Sequence, residues 1–235
     1  SSQGTGFQDD PISTIQGAID LASDGDTVLI APGTYSSFNV SGKNDLVIAS
    51  HFLTSDDTLD ISSTIIDAMG GNTGCFLINI NESITLKGFT VRGSTIKGIE
   101  IAYVGAVYIK NMRIQNNTTG LYLTSTNFVS ISNTNFKNNY SFGLTAESDN
   151  DDISISESTF SGHELGAQLF SPNNSIYKCV FENSYTAIAT NNSTLNVENT
   201  LFNNNDWAIE TIGAQAFINH STIYGCDFTA LNGAG

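Results

Sequence analysis

The chain has 235 residues, with 8 Lys and Arg against 23 Asp and Glu and a formal charge of −15. That length fits one domain, the 40% hydrophobic content with 14 Phe can supply a core, and a charged fraction of 13% argues against a disordered acidic tail. Such a charge works against nucleic acid, anionic membrane and, without bound cations, strongly acidic polymers, and no apolar run approaches the roughly 18 residues of a membrane span.

Ser1 opens without the basic and apolar regions of a signal peptide, so a mature or trimmed soluble chain is expected. Residues 12–23 place Ile12, Ile15, Ile19 and Ala22 at helical spacing, and Ser13 with Gln16 fits a capping box, which predicts one amphipathic helix at the start of the fold. Asp24-Gly25-Asp26 ends it. Thr27 to Ala31 reads as a buried strand and Pro32-Gly33-Thr34-Tyr35 as a turn, within a stretch, 27–82, of irregular first rungs.

From residue 83 to 235 the sequence repeats. One column runs Leu86, Ile109, Ile131, Ile155, Ile176, Val197 and Ile218; a second, five residues on, runs Val91, Ile114, Phe136, Phe160, Phe181, Phe202 and Ile223. A third runs Gly98, Gly120, Gly143, Gly166, Ala187, Ala208 and Ala230, each followed by an apolar residue from Ile99 to Leu231. Seven repeats of 21–24 residues signal a solenoid, in which no unit buries its apolar face alone. Each unit alternates apolar and polar residues over short strands, and neither a leucine-rich consensus nor helical periodicity is present. The expected fold is therefore all-β, a right-handed single-stranded parallel β-helix with an N-terminal capping helix, forming a rod on the order of 40 Å long at about 4.8 Å per rung.

Asn116, Asn138, Asn183 and Asn204, with Gly93, Gly162 and Gly225, share one bend slot. Both residue types tolerate a left-handed conformation, and stacked Asn amides are expected to hydrogen-bond from rung to rung. Cys75, Cys179 and Cys226 have neither CxxC nor Cys/His spacing and are expected to be buried thiols. Asn232 to Gly235 bring no helix or charged segment over the seventh repeat, so a further domain or a neighbouring copy is expected to cover it.

These residues resemble the right-handed parallel β-helix, or pectin-lyase-like, superfamily of secreted proteins. Ile15-Gln-Gly-Ala-Ile-Asp and Asp24-Gly-Asp-Thr-Val-Leu-Ile-Ala-Pro-Gly-Thr-Tyr35 look like its capping helix and first rung; Val47–His51, Ser63–Asp67 and Leu86–Val91 look like its next rungs. The resemblance covers almost the whole chain and implies export to an envelope or extracellular space. It does not select an activity, because the superfamily holds lyases, glycosidases, epimerases and adhesins. The polygalacturonase motifs are met only by Asp56-Asp57, Asp151-Asp152 and Ser161-Gly-His-Glu164, with Arg-Ile-Lys absent. The two Asp pairs lie more than three rungs apart, beyond the roughly 5–10 Å that glycosidase carboxylates span.

The strand after the Gly/Ala column places Glu100, Tyr122, Thr145, Gln168, Ala189 and Glu210 outward in sequence, with Phe142, Tyr185 and Trp207 on or beside that face. Sugar rings stack on such aromatics, so Glu100, Tyr122, Thr145, Gln168, Trp207 and Glu210 form the candidate carbohydrate-binding set. Lys87, Lys110 and Arg92 make a modest basic strip, and Glu157 faces Lys178 as an exposed ladder pair. Glu147, Asp149, Asp151 and Asp152, with Asn150, supply hard oxygen ligands in one loop and are the candidate calcium site, although the loop lacks EF-hand spacing. His51, His163 and His220 fall in different rungs and columns, so a metal site or a Ser-His-Asp triad has no support. The expected function is a secreted or cell-surface, noncatalytic module with a structural, adhesive or carbohydrate-binding role. Its expected partners are an extracellular polysaccharide, neighbouring copies or further domains. The alternative is a polysaccharide lyase or glycoside hydrolase.

Overall fold

The computed structural model describes residues 4–7 and 9–226. Alternating apolar and polar residues build two parallel sheets wound around one core. A narrow nine-stranded sheet runs from Gly33–Tyr35 through Thr64–Asp67, Thr90–Arg92, Arg113–Gln115, Asn135–Lys137, Thr159–Ser161, Val180–Glu182 and Leu201–Asn203 to Thr222–Tyr224. A fourteen-stranded sheet covers the remaining sides. Each narrow strand belongs to one turn of the winding, so the described chain makes nine rungs. This is the parallel β-helix that the repeat predicts, and no helix among the described residues is long and apolar enough to cross a membrane.

The three columns coincide with the pairing. Leu86, Ile109, Ile131, Ile155, Ile176, Val197 and Ile218 are successive Cα partners. So are Val91, Ile114, Phe136, Phe160, Phe181, Phe202 and Ile223. Ala230 and Leu231 lie outside the described residues, as does the chain end at Asn232–Gly235. Four rings of the second column stack face to face. The Phe136–Phe160, Phe160–Phe181 and Phe181–Phe202 centroids are 4.5, 4.6 and 5.5 Å apart, and all four side chains are fully buried. Parallel pairing in register forces this, because identical side chains one rung apart meet at the strand spacing.

Several local expectations are corrected. The helix spans Ile15–Leu21, and its N-cap is Thr14, whose Oγ1 accepts from the Gly17 N–H at 3.1 Å. Gln16 closes no capping box. Its amide oxygen accepts from the Asn39 N–H and its amide nitrogen donates to the Asn39 carbonyl, so it satisfies the backbone of the strand Phe38–Ser41. Gly33–Tyr35 is a strand and not a turn, pairing Tyr35 with Ile66. Two short helices, Phe52–Ser55 and Thr58–Ser63, interrupt the early rungs, and Asp57 caps the second by accepting from Leu59 N–H at 2.9 Å.

Asn116, Asn138, Asn183 and Asn204 have φ of +51° to +56°, and Gly93, Gly162 and Gly225 share that left-handed slot. The hydrogen-bonded ladder, however, stands one residue later, where the side chain turns inward. Asn117 Oδ1 accepts from Ser94 N–H, Asn139 Oδ1 from both Asn117 N–H and Asn117 Nδ2, and His163 Nδ1 from Asn139 N–H. Ser184 Oγ then accepts from His163 N–H and Asn205 Oδ1 from Ser184 N–H. The left-handed residue breaks the backbone ladder at the bend, and the next side chain supplies the acceptor that the bent N–H of the preceding rung lacks. A Cβ at Gly98, Gly120 or Gly143 would come within 3.0 Å of Asn117, Asn139 or His163, so the Gly column makes room for the ladder. A second left-handed column, absent from the sequence reading, runs Gly88, Asn111, Asn133, Glu157, Lys178, Asn199 and His220.

Candidate functional site

The outward column forms as a straight line across the larger sheet. Phe76, Glu100, Tyr122, Thr145, Gln168, Ala189 and Glu210 are successive Cα partners. Trp207 stands in the neighbouring column, which runs Thr73, Lys97, Thr119, Phe142, Leu165, Thr186 and Trp207. The two columns lie side by side on one rigid face because parallel pairing in register leaves them no other place.

The N-terminal end of this face is a closed polar knot. Lys97 Nζ lies 2.7 Å from Glu100 Oε1 and 3.6 Å from the centroid of the Tyr122 ring, while Thr73 Oγ1 donates to Glu100 Oε2 at 3.5 Å. The Tyr122 hydroxyl is pushed above the usual phenol range, first by burial and then by the charge and hydrogen bond of Glu147, with Asp149 and Glu100 adding to it. Tyr122 was expected to offer an open ring for stacking. Instead its face carries the ammonium of Lys97, a residue one rung back in the adjacent column whose reach the sequence pattern does not convey. Thr145, next in the column, is buried, and its hydroxyl has no hydrogen-bond partner.

The acidic loop does not assemble the expected calcium donors. Asp149 Oδ2 accepts from Thr124 Oγ1 at 2.8 Å and Ser125 Oγ at 2.6 Å. Burial raises its pKa, and these hydrogen bonds outweigh that to hold it below the usual carboxylate range. Asp152 accepts from Asn173 Nδ2, Glu147 meets Tyr122, and Asn150 is buried against Thr126. Among the described residues no group of three or more His, Cys, Asp or Glu is placed to hold a metal ion. The donors of Glu147, Asp149, Asp151 and Asp152 share a loop in sequence, but at least three of them turn to separate protein partners.

Of the basic strip, Lys87 and Lys110 are Cα partners, but Arg92 is spent on Asp67 at 2.8 Å. Lys110 reaches back over Tyr108, with Nζ 5.1 Å from the ring centroid. Glu157 and Lys178 meet at 3.8 Å, both about half exposed, as a weak ladder pair. Cys75 and Cys179 are buried free thiols and Cys226 is half-buried. A concavity of about 430 Å³ lies at the turns around Pro172, Asn192, Ser193, Thr194, Gly213 and Gln215. It is lined by neutral groups alone.

The C-terminal end of the face differs in character. Phe142 and Trp207 are half-buried in the column beside the face, and the bends leading to Phe142 and to Thr186 carry Tyr140 and Tyr185, which are 80% and 57% exposed. The sequence reading placed Phe142, Tyr185 and Trp207 beside the face but passed over Tyr140, whose only signal was its place in the bend two residues before Phe142. Glu100 and Glu210 stand five rungs apart, about 24 Å at the strand spacing, which excludes concerted acid–base work between them.

Residues 73–234 match the family described as a right-handed beta helix region. No curated protein matches the chain. Three solved structures are similar in fold. A pectin methylesterase from Aspergillus niger is 12% identical, covering 100% of this chain and 93% of its own, with a TM-score of 0.62. An alginate lyase from Paenibacillus sp. str. FPU-7 is 14% identical, covering 92% and 96%, with a TM-score of 0.55. The catalytic unit of a thermostable GH87 alpha-1,3-glucanase from Streptomyces thermodiastaticus is 16% identical over 92% of this chain, with a TM-score of 0.57. The present chain spans 51% of that glucanase unit. Identities this low carry the fold and not the activity.

Proposed function

The chain belongs to the right-handed β-helix family, and from that premise we propose that it is a noncatalytic, polysaccharide-binding module of a secreted or cell-surface protein. The observation that carries this reading is the pair of in-register columns, a polar face bordered by exposed tyrosines at alternate bends. A rigid sheet holds these groups at fixed spacing without an ordering cost on binding, and aromatic rings with neighbouring hydrogen-bonding groups match the alternating C–H and O–H surfaces of sugars. Two carboxylates at the N-terminal end of the face are already engaged. Glu100 is tied to Lys97 and Thr73, and Glu147 to Tyr122.

The enzymatic reading is favoured by one observation, the contact of Lys97, Tyr122 and Glu147, which sets a cation, a hydroxyl and a carboxylate side by side. The two readings separate in one experiment. The protein is applied to a panel of immobilised neutral, amino-bearing and uronic polysaccharides, with calcium and again with chelator, while release of new reducing ends is followed. Retention without release supports the binding module, and release on any polymer that Lys97→Ala abolishes would establish the enzyme. Absence of both retention and release would remove the glycan reading altogether.

A further inference from the structure

We infer that the corner bordering this face takes a linear glycan bearing free amino groups, lying along the long axis of the β-helix. The inference rests on the glycan-binding reading above and specifies its ligand. In four successive rungs the bend between the narrow sheet and the next strand of the larger sheet presents Tyr140, Glu164, Tyr185 and Asp206. The backbone places three of them alike: Tyr140 N–H donates to Asn117 O, Tyr185 N–H to His163 O and Asp206 N–H to Ser184 O, each the inner-ladder residue of the preceding rung. Both tyrosines and both carboxylates are exposed. Among the described residues none of the four side chains has a hydrogen bond or ion pair within the protein.

The order is aromatic, acidic, aromatic, acidic. At about 4.8 Å per rung the two rings stand roughly 10 Å apart, on the order of one disaccharide of an extended chain, with a carboxylate midway between them. Phe142, Leu165, Thr186 and Trp207 line the adjoining column, apolar in three of its four rungs. Alternating ring faces and carboxylates suit a chain whose rings stack and whose ammonium groups fall between them, through ion pairing and cation–π attraction.

The surrounding charge points the same way. Residues 138–226 hold a single lysine against ten Asp and Glu, and that lysine, Lys178, faces Glu157. The other seven basic residues all lie between 43 and 137. A uronate chain on this corner meets repulsion from Glu164, Asp206 and the net negative charge around them, whereas a glucosamine polymer meets attraction.

The test measures binding of glucosamine oligomers, N-acetylglucosamine oligomers and oligogalacturonate to the whole chain at physiological ionic strength. Three double variants accompany the parent: Tyr140→Ala with Tyr185→Ala, Glu164→Gln with Asp206→Asn, and, as a charge-matched control on exposed early-rung positions, Asp56→Asn with Glu82→Gln. The expected result is binding of glucosamine oligomers at least ten-fold tighter than of the acetylated form, a loss of about ten-fold in the tyrosine pair, about five-fold in the acidic pair and none in the control. An equal loss in the control would show diffuse attraction to an acidic protein and overturn the site. Equal or tighter binding of acetylated or uronic oligomers would overturn the amino specificity while leaving the glycan-binding reading intact. Binding of none of the three oligomers would overturn the inference, and failure of the wider polysaccharide panel as well would remove the reading on which it rests.

Discussion

Truncating Phe160 to alanine tests whether the ring column or burial alone holds the rungs together. Phe160 is fully buried and has a parallel ring on either side, at 4.5 and 4.6 Å, whereas Phe136 has one ring neighbour and Ile114 on its other side. A buried Phe→Ala change costs about 3–5 kcal/mol, and each offset-stacked pair adds about 0.5–1.5 kcal/mol beyond area burial. Both variants lose a comparable buried area. Phe160→Ala should therefore exceed Phe136→Ala by one stacked pair, about 1 kcal/mol, and Phe160→Leu, which keeps most of the apolar volume, should cost about 1–2 kcal/mol. Against a total stability of about 5–15 kcal/mol these are large fractions, readable as shifts in urea midpoint at constant slope. If Phe136→Ala costs as much as Phe160→Ala, the stacking geometry adds nothing and the column is held by burial alone.

Three other outcomes are expected. Burial holds the His163 imidazole below its ordinary pKa despite its backbone partners Asn139 and Phe136, so the unfolded chain protonates first as the pH falls. The stability contributed by neutral His163 is full above about pH 6.5 and declines as the pH drops through that value toward the lower folded pKa. His163→Asn, which matches Asn117 and Asn139 in the ladder, should flatten the fall in thermal midpoint between neutral and mildly acidic pH; an unchanged slope would place the sensitivity elsewhere. Cys179 is pushed up to about 11 by burial and Cys75 still further, so a thiol reagent should modify only Cys226 in the native state and all three after denaturation. Rapid reaction of a second thiol would contradict the packing of the core. Glu147→Gln should lower the Tyr122 pKa, seen as earlier onset of phenolate absorbance than in the parent; no change would mean that Glu147 does not contribute to the shift.

The N-terminal rungs show where pattern reading stops. Gly33–Tyr35 has the residues of a turn, yet it pairs with Thr64–Asp67 because the winding brings a strand there and parallel pairing satisfies its backbone. The second left-handed column was hidden because Glu157 and Lys178 occupy two of its positions, and neither residue type signals a bend. The amide ladder was misplaced by one residue for a related reason. Asn116 and Asn117 are both Asn, and only the backbone at the bend decides which side chain turns inward.

The repeat by itself determined the solenoid, its register, its core columns and the straight outward column from Glu100 to Glu210, because a period of 21–24 residues with matched apolar positions leaves one way to stack. Tertiary structure decided which of these groups are available. Lys97 closes over Tyr122, Thr124 and Ser125 engage Asp149, and Tyr140 and Tyr185 are left open at alternate bends. Periodicity specifies where a Cα lies along and around the rod, but the reach of a long side chain across rungs and its choice among several partners depend on distances that only the folded neighbours set.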